Sequence, residues 1–463
     1  MGYRLGDIEA TRKFSASLSM EALSAAIPQA TVEQVLAASG VQTQRERKLN
    51  LVLTVFTLIP MNLYTRISIG HGLQKICRGL RYIWPEADYA VAGASARSYR
   101  RGQLGVRPLR RMMQQVCRPI TTPETQGAFL FGLRPVALDS SVETVADTPA
   151  NAAVFGRAHG KRGDSAFPQV RVVLLSECGA HTILDAGFWP YPVSERVGAR
   201  RLLRSIEPGM LVLWDRGLHA YDMIQGVLAR GAHVLSRLPA HVKPHRVQTL
   251  ADGSYLAELY PSDYQRRKAG EHIRVRIIEY TLNDPALPGY GTVHRLLTTL
   301  CDAKAYPALD LVCAYHERWE IEILIDELDT HQRLADGPLR SLTPRGVIQE
   351  LYALVLAHYA VRTLRHASAL QAGVDPDRLS FVHALEVIRD AVPEFQMTVP
   401  EQCAQLQQRL LRDIAAVRLP VRRLRSNPRV VKQKMSNFKL KRPQHAQWPQ
   451  PTQTFRESIT LLI

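Results

Sequence analysis

Three acidic residues in this chain sit where side chains can hold metal. Asp139 follows the apolar run Arg134-Pro-Val-Ala-Leu138, and Asp215 follows Met210-Leu-Val-Leu-Trp214, so each closes a stretch of strand character. Glu322 belongs to Tyr315-His-Glu-Arg318-Trp-Glu-Ile-Glu322, where Tyr315, Arg318 and Glu322 are spaced i, i+3, i+7. At 3.6 residues per turn this spacing predicts one helix face carrying a phenol, a cation and a carboxylate. Ile321, Leu324, Ile325 and Leu328 supply an adjoining apolar stripe that can bury the helix. Two strand-end aspartates and one helix glutamate can hold two divalent cations, an apparatus for cutting and joining phosphodiesters. Taken singly, each piece has an ordinary structural explanation. A strand-end Asp commonly caps a turn, and a helix rich in Glu and Arg commonly presents a solvated face.

Their combination carries more weight, because the local sequences also match a family. The chain resembles the DDE transposases of bacterial insertion sequences, in the large group related to insertion sequence four. That group carries a Tyr-x2-Arg-x3-Glu-x6-Lys signature, which Tyr315, Arg318 and Glu322 match; Asp329 stands at the Lys position. Ala137-Leu-Asp-Ser-Ser141 with Asp147-Thr-Pro-Ala-Asn151 resembles the first acidic motif, and Trp214-Asp-Arg-Gly-Leu218 the second. The likeness continues through Arg295–Leu300, Asp326–Gln332 and Pro428–Asn437, in collinear order over nearly the whole chain.

The resemblance implies an α/β core with a ribonuclease-H-like mixed sheet, helices on both faces and a β-rich insertion. It implies an insertion-sequence DNA transposase that cleaves DNA ends and transfers strands. Asp139, Asp215 and Glu322 would be its catalytic and metal-binding carboxylates, holding Mg2+, two ions in all, with Mn2+ able to substitute. Its partners would be double-stranded DNA, as terminal inverted repeats and as target, and a second copy of the chain in a synaptic homodimer. The alternatives are an impaired copy that still binds DNA specifically, and a metal-dependent nuclease without strand transfer.

Composition agrees with a polyanionic partner. The 463 residues carry a formal charge of +17 with a pI near 9.8, and 46% are apolar, enough for packed domains. The longest apolar stretch, Leu51 to Met61, is too short to cross a bilayer, and no secretory signal is visible. Six scattered cysteines form no Cys-x2-Cys pair, which suits a reducing cytoplasm, with action at the nucleoid.

Residues 1–125 read as a helical domain, with candidate N-caps at Ser19 and Thr31, which the resemblance implies recognises DNA ends. Its basic clusters include Arg45–Lys48, Arg97–Arg101 and Arg107–Arg111. Residues 126–370 read as the catalytic domain, with the β-rich insertion at about 239–291. Within it, Arg266, Arg267 and Lys268 fall at an expected hairpin tip and suit contact with a DNA backbone. Tyr315 and Arg318 are further candidate DNA contacts: Arg318 can pair bidentately with a phosphate, and Tyr315 can stack on a base, donate to a phosphate or simply pack. Residues 371–463 read as a helical region and a basic arm, with ten Lys/Arg and no acidic residue from Arg418 to Arg442. The helices after Thr343 read as plain packing elements. Asp329, on the Glu322 face, is expected to face DNA and repel it, so that Asp329→Lys would raise activity.

Overall fold

The computed structural model describes residues 23, 25–41, 50–65, 67–68, 71, 93–160, 163–287, 289–316, 318–333, 337–398, 400–420, 447 and 449–462. Ser19, Arg45–Lys48 and most of the basic arm lie outside them. In chain order the helices begin with α1 (Gln29–Ala38), α2 (Leu51–Met61), α3 (Ala94–Leu104), α4 (Arg107–Val116) and α5 (Pro149–Phe155). They continue with α6 (Glu195–Leu202), α7 (Tyr221–Leu228), α8 (Tyr264–Lys268), α9 (Ala308–His316) and α10 (Trp319–Asp326). Last come α11 (Pro344–Ala372), α12 (Phe381–Met397) and α13 (Pro400–Ala415). The strands are β1 (Arg134–Thr144), a small hairpin β2 (His159–Gly160) and β3 (Gly163–Asp164), β4 (Gln169–Glu177), β5 (Thr182–Pro190) and β6 (Met210–Trp214). They end with β7 (His233–Arg237), β8 (His245–Thr249), β9 (Tyr255–Leu259), β10 (Ile273–Leu282), β11 (His294–Thr298) and β12 (Ile459–Leu461).

The chain forms two compact units, neither continuous in sequence. The first comprises Met1–Phe129, Ala137–Ser205 and Glu320–Leu419; the second comprises Leu130–Val136, Ile206–Trp319 and Pro420–Ile463.

In the first unit β4 pairs antiparallel with β5, with a register shift at Leu175/Ser176, and β1 lies beside β4. β4 reads Val-Arg-Val-Val-Leu-Leu, β-branched and almost wholly buried, as an inner strand should be. The core is helical and centres on α11, which is buried around most of its circumference. Its N-cap is Thr343, whose hydroxyl accepts from Gly346 N, and Gly373 closes it with a left-handed C-cap (φ 62°). So thorough a burial suits an apolar helix, yet α11 buries Glu350, His358, Arg362, Arg365 and His366. It is no plain packing element. α1 starts at Gln29 with Pro28 in the cap position, so Thr31 lies inside the helix and does not cap it.

In the second unit the strand order is β6-β7-β11-β10-β9-β8, with β12 also on β10. β6 and β7 are parallel, and the other pairs are antiparallel, so this is a mixed sheet. All five residues of β6 are buried, the continuous apolar pattern of a strand covered on both faces. β12 pairs Leu461 with Tyr280, so the chain's end belongs to this sheet rather than to a loose arm. Among the described residues no helix is long and apolar enough to cross a membrane.

Candidate functional site

Asp215 follows β6 with extended backbone (φ −81°, ψ 167°) and leads into a short 3-10 turn, Arg216–Leu218. Its side chain makes no capping hydrogen bond, so the ordinary reason for an Asp at that position is missing. The ladder beneath is fixed by pairs such as Leu213 with Leu235 and Trp214 with Ser236. A one-residue slip there would turn every side chain to the other face. Asp215 is half-buried and acts electrostatically on Tyr315 in the same unit.

Tyr315 ends α9, and its hydroxyl is buried with no hydrogen-bond partner among the described residues. Burial pushes its phenol well above the usual range; Arg318 and Arg237 oppose the shift, and Asp215 and Tyr280 add to it. The Arg318 guanidinium lies 5.9 Å from the Tyr315 ring centroid and is itself buried. The continuous helix predicted from Tyr315 to Glu322 does not form. α9 stops at His316, Arg318 lies in a turn, and α10 begins at Trp319. The i, i+3, i+7 spacing therefore describes two elements, and Tyr315 and Glu322 fall in different units.

In the first unit Asp139 lies within β1 rather than at its end, because the strand continues to Thr144. Its carboxylate accepts from Ser140 N at 2.8 Å, and Ser140 Oγ donates to Glu195 at 2.8 Å. Glu322 is on α10, half-buried, between Ile321 and Leu324, whose side chains are in the core. After Asp326 the helix widens into a π-helical turn, Glu327–Gln332. Such turns are rare and commonly mark functional sites.

Around this helix the first unit buries an unusual amount of charge. Glu327 is ion-paired to Arg362 and lies 3.4 Å from His358 Nε2. Burial works against the Glu327 carboxylate, but Arg362 and His358 more than offset it and hold its pKa below the usual range. Burial lowers the pKa of His358 and keeps it neutral. Arg362 also donates to His181 Nδ1 at 2.8 Å, and His181 Nε2 lies 2.6 Å from Glu320 and 3.5 Å from Asp377. His181 adopts left-handed backbone (φ 52°), a conformation that side chains rarely take without such contacts.

His181, Glu320 and Asp377 bring ligand atoms within 4.8 Å of one another. They fit a cation poorly. Arg362 donates to Nδ1, which leaves the proton on Nε2, the atom a metal would need, and a guanidinium already stands beside the ring. This is a structural network, and nothing in the local sequence around α11 signals it.

Asp329, seven residues beyond Glu322, does not take the outward position expected of it. It lies in the π turn against β1, hydrogen-bonded to Glu143 and accepting from Ser141 Oγ at 3.4 Å. Arg333 Nη2 lies 2.8 Å from Glu143 Oε2. Burial first, then Glu143, push the Asp329 carboxyl up to about 9.

Some of the basic residues are likewise used internally. The expected hairpin tip is the short helix α8. Arg266 there is bound to Asp222, Glu271 and Gln225 and stacks over Tyr221, whereas Arg267 and Lys268 are exposed. In α3, Arg101 donates to Gln349, Ser341 and the Gly346 carbonyl, which removes it from any phosphate-binding face.

Residues 17–114 match the insertion element 4 transposase N-terminal family, and residues 131–360 match the transposase DDE domain. The chain is 28% identical over 414 residues to transposase InsG for insertion sequence element IS4 of Escherichia coli (strain K12), spanning 87% of this chain and 90% of that protein. The structure of piggyBac transposase in a synaptic complex with hairpin DNA overlaps 87% of this chain and 84% of that chain, at 9% identity and a TM-score of 0.43. The matched domains and the near full-length relative lead to one conclusion: this chain belongs to the IS4 family of DDE transposases, insertion-sequence enzymes of DNA transposition.

Proposed function

We propose that Asp139, Asp215 and Glu322 are the catalytic carboxylates of a ribonuclease-H-like core. They would hold divalent cations, Mg2+ by preference and two in number, for cutting transposon ends and joining them to target DNA. The observation that carries this reading is the course along β1 of the segment that follows α10. Asp329 meets Ser141, Arg333 meets Glu143, and Leu339 meets Thr144 and Val145. Later residues of the segment meet later residues of the strand, so the two run parallel. Going back from Asp329 to Glu322 covers about 10 Å of helix, about three residues of strand. Continued back through α10, that course would bring Glu322 to the level of Asp139.

The donor set suits the cation: three carboxylates, oxygen ligands only, each half-buried. Bound there, two such ions supply activation of the attacking hydroxyl and stabilisation of the leaving 3′ oxygen. Asp215, unspent on capping, keeps its oxygens for that role. Tyr315 stays protonated at working pH and offers a hydrogen-bond donor near Asp215 rather than a repelling anion. Residues 17–114 would read the terminal repeats, with a homodimer bringing two ends together. The enzyme would work in the cytoplasm, on the nucleoid. Asp329 would favour an impaired end-binding copy only if it faced DNA, and it faces β1 instead.

The test is excision from a supercoiled plasmid that carries the coding region with its native flanks, incubated with full-length protein and Mg2+. Wild-type protein should release the element and join it elsewhere. Asp139→Ala, Asp215→Ala and Glu322→Ala should each bind the plasmid ends and leave them uncut. Near-normal cutting by any one of them removes that residue from the site.

A further inference from the structure

The position where the family signature has Lys carries Asp329 here, and its surroundings give it a different task. On β1 side chains alternate, so Asp139, Ser141 and Glu143 project from one face. Asp329 and Arg333 dock on that face, through Ser141 and Glu143 respectively. We propose that Ser141, Glu143, Asp329 and Arg333 form a latch that fixes the α10 segment against β1 and so sets Glu322 in register with Asp139. This rests on the assignment of Asp139 and Glu322 as catalytic carboxylates. Asp329 is then a positioning residue for cleavage, and its departure from the family pattern is compensated within the fold.

The chemistry of the four groups is complementary. Asp329 and Glu143 are hydrogen-bonded to one another, and Arg333 pairs with the Glu143 carboxylate. A lysine at 329 would compete with Arg333 for the Glu143 carboxylate and set two cations side by side. The adjoining cavity of about 20 Å³, lined by Val172, Leu174, Phe188 and Leu328, holds about one water. Without the latch, the α10 segment keeps its contacts to His181 and Arg362 but loses its polar tie to β1, and its register on that strand can shift by a fraction of a residue. Misplacement of about 1 Å in a reacting constellation costs on the order of a hundredfold in rate.

Excision and nicking of the native-flank plasmid by full-length variants provide the test, with Mg2+ titrated and plasmid binding measured alongside. Asp329→Asn keeps the hydrogen bond and should stay within about threefold of wild type. Asp329→Ala and Asp329→Lys should lose tenfold or more in turnover while plasmid affinity changes less than twofold, and both should need several-fold more Mg2+ for half-maximal cutting. Should those two fail to fold, Ser141→Ala and Glu143→Gln carry the test. Each should lower turnover with the apparent KM for plasmid unchanged, and combined with Asp329→Asn the losses should be less than multiplicative. Equal or higher turnover of Asp329→Lys, unchanged turnover of Asp329→Ala, or multiplicative losses would overturn the latch. Asp139→Ala in the same assay separates the two levels: if it still cuts, the catalytic assignment fails; if it does not, the other outcomes speak to the latch alone.

Discussion

Asp215 and Glu322 are held by different means. Asp215 is placed by a backbone ladder: β6 is wholly buried and paired residue by residue with β7, and no buried ion pair is needed at its end. Glu322 stands on α10, a helix of eight residues that no ladder holds. Its surroundings are fixed by side chains: Glu320 to His181, Glu327 to Arg362 and His358, Asp329 and Arg333 to β1. A strand inherits its register from its neighbour's hydrogen bonds. A short helix packed on apolar side chains can slide, and directional polar contacts stop it.

The comparison predicts that Asp215 and Glu322 matter equally to chemistry and little to stability, which rests on the anchors. Asp215→Ala and Glu322→Ala should each reduce excision by at least about a thousandfold, ~4 kcal/mol of lost transition-state stabilisation, with unfolding midpoints near wild type. Plasmid excision and urea unfolding read the two quantities on the same preparations. The next largest effect belongs to the anchors. Glu327→Ala leaves Arg362 buried without its carboxylate and should cost about 3–5 kcal/mol in urea unfolding. A loss under about 1 kcal/mol would mean that α10 is held by apolar packing after all.

The anchors also differ in their response to pH. Asp329 binds its proton more tightly folded than unfolded, so its stabilisation is complete below about pH 4 and is lost as pH rises toward about 9. Glu327 has the opposite sign: its stabilisation is present above its unfolded pKa and is lost as pH falls through its lowered folded value. Asp329→Asn should therefore flatten the alkaline side of a plot of unfolding free energy against pH and leave the acid side as it was. The smallest expected effect separates spent from unspent cations on α8. Changing Arg267 and Lys268 together to Ala should weaken plasmid binding and lower its salt slope by about 2. Arg266→Ala, already paired internally, should leave that slope alone.

Much of the fold was legible in the chain. The apolar and β-branched runs before Asp139 and Asp215 are β1 and β6. The likeness to insertion sequence four transposases held over nearly the full length. What failed was the reading of direction. The Tyr315–Glu322 spacing could not reveal that the helix stops at His316, because the break serves two separately packed units and not local propensity.

The sequence by itself determined the order of strands, the positions of three carboxylates and the excess of positive charge, since all follow from local pattern and composition. Only the tertiary structure decided which charges face inward. Arg101 and Arg266 carry the same charge whether they meet DNA or the protein's own carboxylates and carbonyls, and Asp329 keeps or loses its charge according to what it meets. That choice depends on partners far away in the chain: Gly346 for Arg101, Asp222 for Arg266, Ser141 and Glu143 for Asp329. A charge is written in one residue, but its partner is supplied by the fold.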